Sequence, residues 1–371
     1  MSLKNETNLF LSLVRAGLWE KQGRLLHNND TVDSVIFRLA QEQAVEGLVA
    51  AGIELTGAKC PKETALAVSA DVIALEQRNS SMNDFIGVLF DKLHQERIDC
   101  VLIKGQGIAQ CYERPLWRAC GDVDLLLGTE DYAKAKKYLA SIAARQGEEL
   151  KDRLHIDYTI GPWEVELHGS MRNGLWASMN IMLDDALLVS FEQNRVRIWQ
   201  NGAYKIILPP IDEDVVFVFT HILNHFFKEG IGLRQICDWC RLLWKSKDGV
   251  NVPLLESRLK RAGIITEWKV FAALAVDRLG MPKEAMPLYS SSKQWSRKAK
   301  RLLELIIKSG NFGHNRDMSY FAKYPFVIRK IISLCHHTSD GIKQFFIFPK
   351  DALRVWWGTI VFGIKYAFQG K

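Results

Sequence analysis

The sequence predicts an α+β protein: a small mixed β-sheet core, N-terminal helices before it and a large C-terminal helical region after it. Three observations lead there. Apolar residues recur at helical spacing through the first hundred positions. They switch to short runs and alternation between about 98 and 210, and return to helical spacing afterwards. The chain has 371 residues, long enough for two or more domains, and divides coarsely into 1–97, 98–210 and 211–371.

Leu9, Leu13, Val14 and Leu18 carry the first helical stretch, and Val32, Val35, Ile36 and Leu39 the second. Pro61 opens a pattern through Val72, Ile73, Leu89 and Leu93 that ends near Arg97, as one long helix or two. Proline suits a first helical turn, where its missing N–H would have no partner anyway. Cys100–Ile103 is a short apolar run stopped by Lys104-Gly105, and Asp122–Leu127 is a second; both read as strands. Thr129 is placed to cap a helix over 132–144, with Glu130 and Asp131 favourable at the positive end of its dipole. Three strands are then expected, over 148–152, 155–160 and 163–168, the last two joined by a Gly161-Pro162 turn. A strand pair over 195–199 and 204–208 extends the sheet in this reading. Helices follow over 215–227, 233–243, 254–262, 266–279 and 297–307.

The composition is that of an ordinary globular chain, 48% hydrophobic and 25% charged with a formal net charge of +7. Disordered, collagenous and low-complexity classes are excluded. Seven cysteines, an odd number at irregular spacing, and no apolar leader after Met1-Ser2-Leu3-Lys4 point to a reduced, cytoplasmic setting. Cys237-Asp238-Trp239-Cys240 lies in an apolar helical run with no second ligand pair at zinc spacing, so it reads as structural. No stretch has the ~18–20 unbroken apolar residues of a membrane span. Residues 355–364 come nearest and are interrupted by Lys365, which suits a buried or interfacial helix. Residues 323–371 carry a net charge of +6 and many aromatics, including Phe345, Phe346, Trp356 and Trp357. This basic aromatic C-terminal segment suits a membrane surface, a nucleic-acid or protein partner, or a solvated helical face. Arg297-Lys298-x-Lys300-Arg301 reads as a solvated face.

The strongest chemical signal is Gly121-Asp122-Val123-Asp124-Leu125. Positions i and i+2 of a strand share a face, so Asp122 and Asp124 stand side by side. Two such carboxylates repel and raise each other's pKa unless a cation lies between them, and hard oxygen ligands favour Mg²⁺. In Trp163-Glu164-Val165-Glu166-Leu167-His168, burial of Trp163, Val165 and Leu167 puts Glu164, Glu166 and His168 on the other face. A strand like this beside the first brings a third carboxylate to the same place. Lys104-Gly105-Gln106-Gly107 ends a strand in a glycine turn whose amides suit a phosphate oxygen, with Lys104 and Arg118 as nearby positive charge. The turn has neither a dinucleotide fingerprint nor the Gly-Lys-Ser/Thr of a P-loop. The alternative for Lys104 and Arg118 is surface charge or a salt bridge to the acids.

Lys104-Gly105, Arg118-x-x-Gly121-Asp122-Val123-Asp124-Leu125-Leu126 and Glu166-Leu167-His168 together resemble a bacterial family of uncharacterised nucleotidyltransferases in the DNA polymerase beta-like superfamily. The resemblance continues into His221-x-x-x-His225 and Leu233-Arg234-Gln235-Ile236-Cys237-Asp238, covering about residues 98–245. It implies Asp122, Asp124 and Glu166 as ligands of one or two Mg²⁺ ions, with Mn²⁺ as a substitute. It also implies transfer of a nucleoside monophosphate from a nucleoside triphosphate. Two departures stand out. Gln106 occupies the place of a small residue or serine in the superfamily's turn, so Gln106 or Lys104 has to hold the triphosphate, and Glu166 stands where many relatives have Asp. His155, His168, His221, His225 and Asp238 form a second tier around a substrate pocket. His221 and His225 read as pocket-shaping or hydrogen-bonding groups rather than metal ligands. Asp238 either orients or deprotonates the acceptor, or pairs with Arg234 one turn away.

Three functions remain compatible: a nucleotidyltransferase with a small-molecule or protein acceptor, one acting on tRNA or another nucleic acid, and a catalytically silent binding protein on the same fold. A net charge of only +7, mostly in the tail, disfavours a large nucleic-acid footprint. The sequence names neither the acceptor nor the preferred triphosphate.

Overall fold

A computed structural model describes residues 3–21, 31–192, 194–311, 324 and 326–368. Four helices come first: α1 (Leu3–Trp19), α2 (Ser34–Glu42), α3 (Glu46–Thr56) and α4 (Lys62–Gln95). The pattern opened by Pro61 is thus one 34-residue helix with Pro61 at its N-cap. Helices α1 and α3 cross at their glycines: a Cβ on Gly17 would lie 2.0 Å from the Leu48 carbonyl oxygen, and one on Gly52 2.2 Å from that of Leu13. No larger residue permits that approach.

The α/β part comprises β1 (Cys100–Ile103), α5 (Gly105–Ala109), β2 (Asp122–Leu127), α6 (Thr129–Ile142), β3 (Arg145–Gln146), β4 (His155–Ile160) and β5 (Trp163–His168). The sheet order is β1-β2-β5-β4-β3. β2 and β5 run parallel and the remaining pairs antiparallel, so the sheet is mixed as expected. α6 starts at Thr129 with Gly128, not Thr129, at its N-cap.

Two expectations fail in this region. Residues 148–152 form no strand. Leu150 makes only an isolated bridge to His155, while Glu149 is drawn sideways to Tyr132 and Lys136. β6 (Arg197–Asn201) and β7 (Tyr204–Leu208) form their own two-stranded sheet rather than an extension of the first. β7 packs against β1 and α4 through side chains, with Ile206 and Leu208 buried, and Arg197 ties the hairpin to Asp214 at the start of the next long helix.

α7 (Ala177–Val189) precedes that hairpin. Then come α8 (Ile211–Lys228), α9 (Leu233–Lys245), α10 (Val252–Ala262), α11 (Ile265–Asp277), α12 (Lys293–Ser309), α13 (Phe326–Phe345) and α14 (Pro349–Phe368). Lys298 and Arg301 of α12 donate to the carbonyls of Ile347 and Phe346, so that basic run fastens the α13–α14 turn instead of only facing solvent. Lys323 and Lys371 of the basic tail lie outside the described residues. No helix among the described residues is long and apolar enough to cross a membrane.

The sheet separates two apolar clusters. One face, with Leu102, Val123, Leu125, Val165 and Leu167, packs on the second half of α4 and on α6. From the other face Val101, Ile103 and Leu126 join a large helical core running from Leu9 to Phe348. The alternating acids stand on this second face, opposite α8 and α9. Burial of their apolar neighbours therefore fixes which way the polar residues point.

Candidate active site

The parallel pairing of β2 with β5 sets Asp122 opposite Glu164 and Asp124 opposite Glu166. Ligand oxygens of Asp122, Asp124 and Glu166 lie within 4.8 Å of one another. The face-sharing expected from alternation is what the strands adopt. β1 ends beside them, and Lys104 projects across so that its Nζ is 2.6 Å from Asp124 Oδ1. Lys104 reaches this position with φ +56 and ψ −145, and Gly105 follows at φ +39. Both lie where side-chain-bearing residues rarely sit.

Two imidazoles close the other side. His168 Nε2 lies 2.9 Å from Asp124 Oδ1 and 3.3 Å from Glu166 Oε2, and His155 Nε2 lies 3.2 Å from the same Glu166 oxygen. The charges respond to one another. Asp124, and then burial, push the Asp122 carboxyl up. Burial lowers Lys104, but Asp124, Glu166 and Asp122 outweigh it and its pKa rises. Burial raises Glu166, yet the bonds from His155 and His168 hold it well below the usual carboxylate range. Burial lowers His168, and its bonds to Asp124 and Glu166 more than restore it. Three carboxylates against one ammonium leave two negative charges unbalanced when the imidazoles are neutral. That is the charge of one divalent cation, and the all-oxygen donor set suits Mg²⁺ or Mn²⁺.

The cluster opens into a cavity of about 360 Å³ whose lining includes Lys104, Arg118, His155, His221, Arg234 and Asp238. His221 and His225 stack edge to face with centroids 4.4 Å apart, and His225 Nδ1 pairs with Glu229 at 2.8 Å. Burial, with Lys104 and His225, holds His221 well below its ordinary pKa, so it is neutral.

Arg118 and Asp238 are placed differently from expectation. Asp238 does not pair with Arg234. It takes a two-pronged bond from Arg118, at 2.8 and 2.7 Å, and a third from the Tyr112 hydroxyl at 2.7 Å. Arg118 Nη1 and Arg234 Nε are buried and have no hydrogen-bond partner among the described residues. Arg234 Nη1 instead donates to the Ala119 carbonyl, holding the loop before β2.

The Gln106 side chain does not reach the phosphate position expected of it. It is buried against α4, where Nε2 donates to Asn79 Oδ1 at 3.1 Å. Asn79 in turn donates to the carbonyls of Leu116 and Arg118. Gln106 is thus part of the scaffold that holds Arg118, while Lys104 and Gly105 line the cavity. Sequence reasoning missed Asn79 and Tyr112. Nothing local marks either one, though an asparagine in an apolar helical stripe is a signal that its amide has a job. Cys237 and Cys240 are buried in α9 with thiols pushed up by burial, consistent with a structural role.

The mixed α+β core is consistent with that of a nucleotidyltransferase, and it carries paired aspartates on one strand, a third acid on the parallel neighbour and a lysine–glycine turn beside them. Residues 31–280 match the family described as uncharacterised nucleotidyltransferase, and the chain belongs to that family. It is accordingly a transferase with a nucleotide substrate. No curated protein and no solved structure matches the chain.

Proposed function

We propose that the protein moves a nucleoside monophosphate from a nucleoside triphosphate to a hydroxyl of a small-molecule or protein acceptor, with Mg²⁺ or Mn²⁺ at Asp122, Asp124 and Glu166. The observation that carries this reading is the β2–β5 register, which gathers three carboxylates beside Lys104 at the mouth of a cavity. The acceptor oxygen attacks the α-phosphorus, loses its proton to solvent, and the bond to pyrophosphate breaks. The metal, when bound, supplies charge neutralisation and acidifies the acceptor hydroxyl.

The chain's own residues position the reactants, which in phosphoryl chemistry is most of the work. Lys104 contacts a triphosphate oxygen with its ammonium, and the Gly105 turn lets the triphosphate approach the backbone. The unpartnered Arg118 Nη1 and Arg234 Nε offer two further donors to anionic oxygens. His155 and His168 hold Glu166 ionised and aimed at the cluster, and His221 and His225 shape the acceptor pocket. Asp238 acts through Arg118 and is a positioning residue. Residues 98–210 carry the chemistry, with 1–97 and 211–371 as the helical parts that enclose it. The α13–α14 turn exposes Phe346, Leu353 and Trp357 beside Lys350 and Arg354, which supports a cytoplasmic protein docked peripherally on an anionic membrane surface.

The test is incubation with each labelled triphosphate, Mg²⁺ or Mn²⁺ and a cell extract. Metal-dependent label on a small molecule or protein, absent with Asp124→Asn, is the expected result. Label on RNA would move the acceptor to nucleic acid. No label with any triphosphate would leave only a binding role, and undiminished transfer by Asp124→Asn would overturn the assignment of the carboxylate cluster as the site of transfer.

A further inference from the structure

We propose that His155, His168 and Glu166 form a transition-metal site of their own, distinct from the three-carboxylate cluster and sharing only Glu166 with it. The inference starts from register. β4 and β5 are antiparallel with His155 directly opposite His168, and Glu166 follows two residues before His168 on the same face. All three side chains line the cavity, and their donor atoms lie within 4.8 Å of one another.

The donor atoms are also close enough to share one ion. His155 Nε2 and His168 Nε2 lie 3.2 and 3.3 Å from the same atom, Glu166 Oε2, and His168 Nε2 also lies 2.9 Å from Asp124 Oδ1; a bound ion would take the place of these hydrogen bonds. Donors on one tetrahedral ion with bonds of about 2.0–2.2 Å lie about 3.3–3.5 Å apart, so these separations are those of a coordination polyhedron's edges. The ring centroids are 4.7 Å apart and inclined at 47°.

The backbone on either side of the histidines is fixed as well. Leu154, just before His155, is held at φ +48. Its carbonyl accepts from the Gly169 amide at 2.8 Å, directly after His168. A Cβ on Gly169 would lie 2.9 Å from both Leu154 and Tyr132, so the chain there has no slack. A strained residue and a close glycine pin the two histidines at one end of the hairpin, where strain is commonly stored for function.

The donor set decides the class of ion. Two imidazoles and one carboxylate are borderline ligands, suited to Zn²⁺ or a related first-row ion over Mg²⁺. Three protein ligands leave a fourth position, for which Asp124 Oδ1, 2.9 Å from His168 Nε2, is the nearest further protein donor. The all-oxygen cluster of Asp122, Asp124 and Glu166 favours the harder ion. The inference does not depend on nucleotide transfer.

The experiment uses the full chain, stripped with a chelator and titrated with Zn²⁺, then with Co²⁺ as a spectroscopic probe. Uptake of one Zn²⁺ per chain is expected, with tetrahedral ligand-field bands from Co²⁺. His155→Gln and, separately, His168→Gln should weaken it by at least about 100-fold, more than loss of an outer partner does. Asp122→Asn should keep Zn²⁺ affinity within a few-fold while abolishing Mg²⁺-dependent triphosphate binding. No uptake by the unmodified chain overturns the proposal whatever the variants do. So does undiminished binding by a folded histidine variant, or an equal loss in Asp122→Asn, which would put the ion in the carboxylate cluster. If the unmodified chain takes no Zn²⁺ but Asp122→Asn still loses triphosphate binding, this proposal falls and the nucleotide reading stands.

Discussion

Replacing Arg118 by Met should destabilise the protein far more than loss of a substrate contact would. The guanidinium forks onto Asp238 at 2.8 and 2.7 Å, and the two side chains are only 4% and 6% exposed. Removing one partner of such a pair strands a charge in the interior and costs about 3–5 kcal/mol. Tyr112 still donates to Asp238 in the variant, which places the cost toward the lower end. At about 2–4 °C per kcal/mol, a cost near 3 kcal/mol lowers the melting temperature by about 6–12 °C. Arg118→Lys keeps the charge but cannot fork, and should fall between the two. Combining Arg118→Met with Asp238→Leu removes both charges together, so the double variant should be more stable than the sum of the singles implies, by about 0.5–3 kcal/mol. Thermal and urea melts of the four chains provide the cycle. If Arg118→Met costs less than about 1 kcal/mol, or if the single costs simply add, Arg118 is not buried against Asp238, and its role reverts to that of a surface contact with the triphosphate.

Acid should weaken the fold through His221. Its folded-state pKa lies well below its unfolded value near 6.5, so on acidification the unfolded chain takes the proton first and stability falls from about pH 6.5 downward. His221→Gln should lose less of its urea midpoint between about pH 7.5 and about pH 5.5 than the unmodified chain; an equal loss would place the sensitivity elsewhere. Glu267 in α11 is buried, hydrogen-bonded to Asp351 of α14 and pushed up to about 9 by burial first and Asp351 next. The unfolded chain gives up that proton from its ordinary pKa upward, so the cost of keeping it grows between about pH 4.5 and 9. Glu267→Gln should therefore raise the melting temperature at pH 8 and change it little at pH 4, as read by parallel melts. Phe346→Ser with Trp357→Ser should reduce affinity for vesicles containing anionic phospholipid by about 100-fold, the worth of two buried side chains at about 1.5 kcal/mol each, as read by co-sedimentation. No change on either vesicles with anionic lipid or neutral ones would remove the membrane from the list of partners.

Much of this was legible because period and burial are local. Trp163, Val165 and Leu167 alternate with Glu164, Glu166 and His168, and a core on one side of the sheet forces the acids to the other. What alternation leaves open is the neighbour: nothing in either strand says that β2 pairs with β5, or that they run parallel. Arg118 and Asp238 show the same limit, because their bond closes across 120 residues while the nearer Arg234 looked the obvious partner. Gln106 misled for a geometric reason. It lies beside Gly105 in sequence, but one step along a helix turns a side chain by about 100°, enough to send it from the cavity into α4. The 148–152 segment, Glu-Glu-Leu-Lys-Asp, has one apolar residue to bury and residue types that strands disfavour, and Glu149 is held by Tyr132 and Lys136 instead of a ladder.

Lys104 gathers these threads into one argument about what the site is for. A lysine at φ +56 followed by a glycine at φ +39 is a costly way to end a strand, about 1–3 kcal/mol for the lysine alone. A glycine at 104 would carry no such cost, and burial there further disfavours an ammonium. The bond to Asp124 offsets part of this, but that need exists only because Asp122, Asp124 and Glu166 were brought together first. Fold stability alone would be better served by dispersing the acids and relaxing the turn. Strain, a buried cation and crowded carboxylates at one point are therefore three costs of the same arrangement. A ligand set that combines a divalent ion with an anionic phosphate chain relieves the last two together: the ion takes over the carboxylates, and the phosphates give the freed ammonium a new partner.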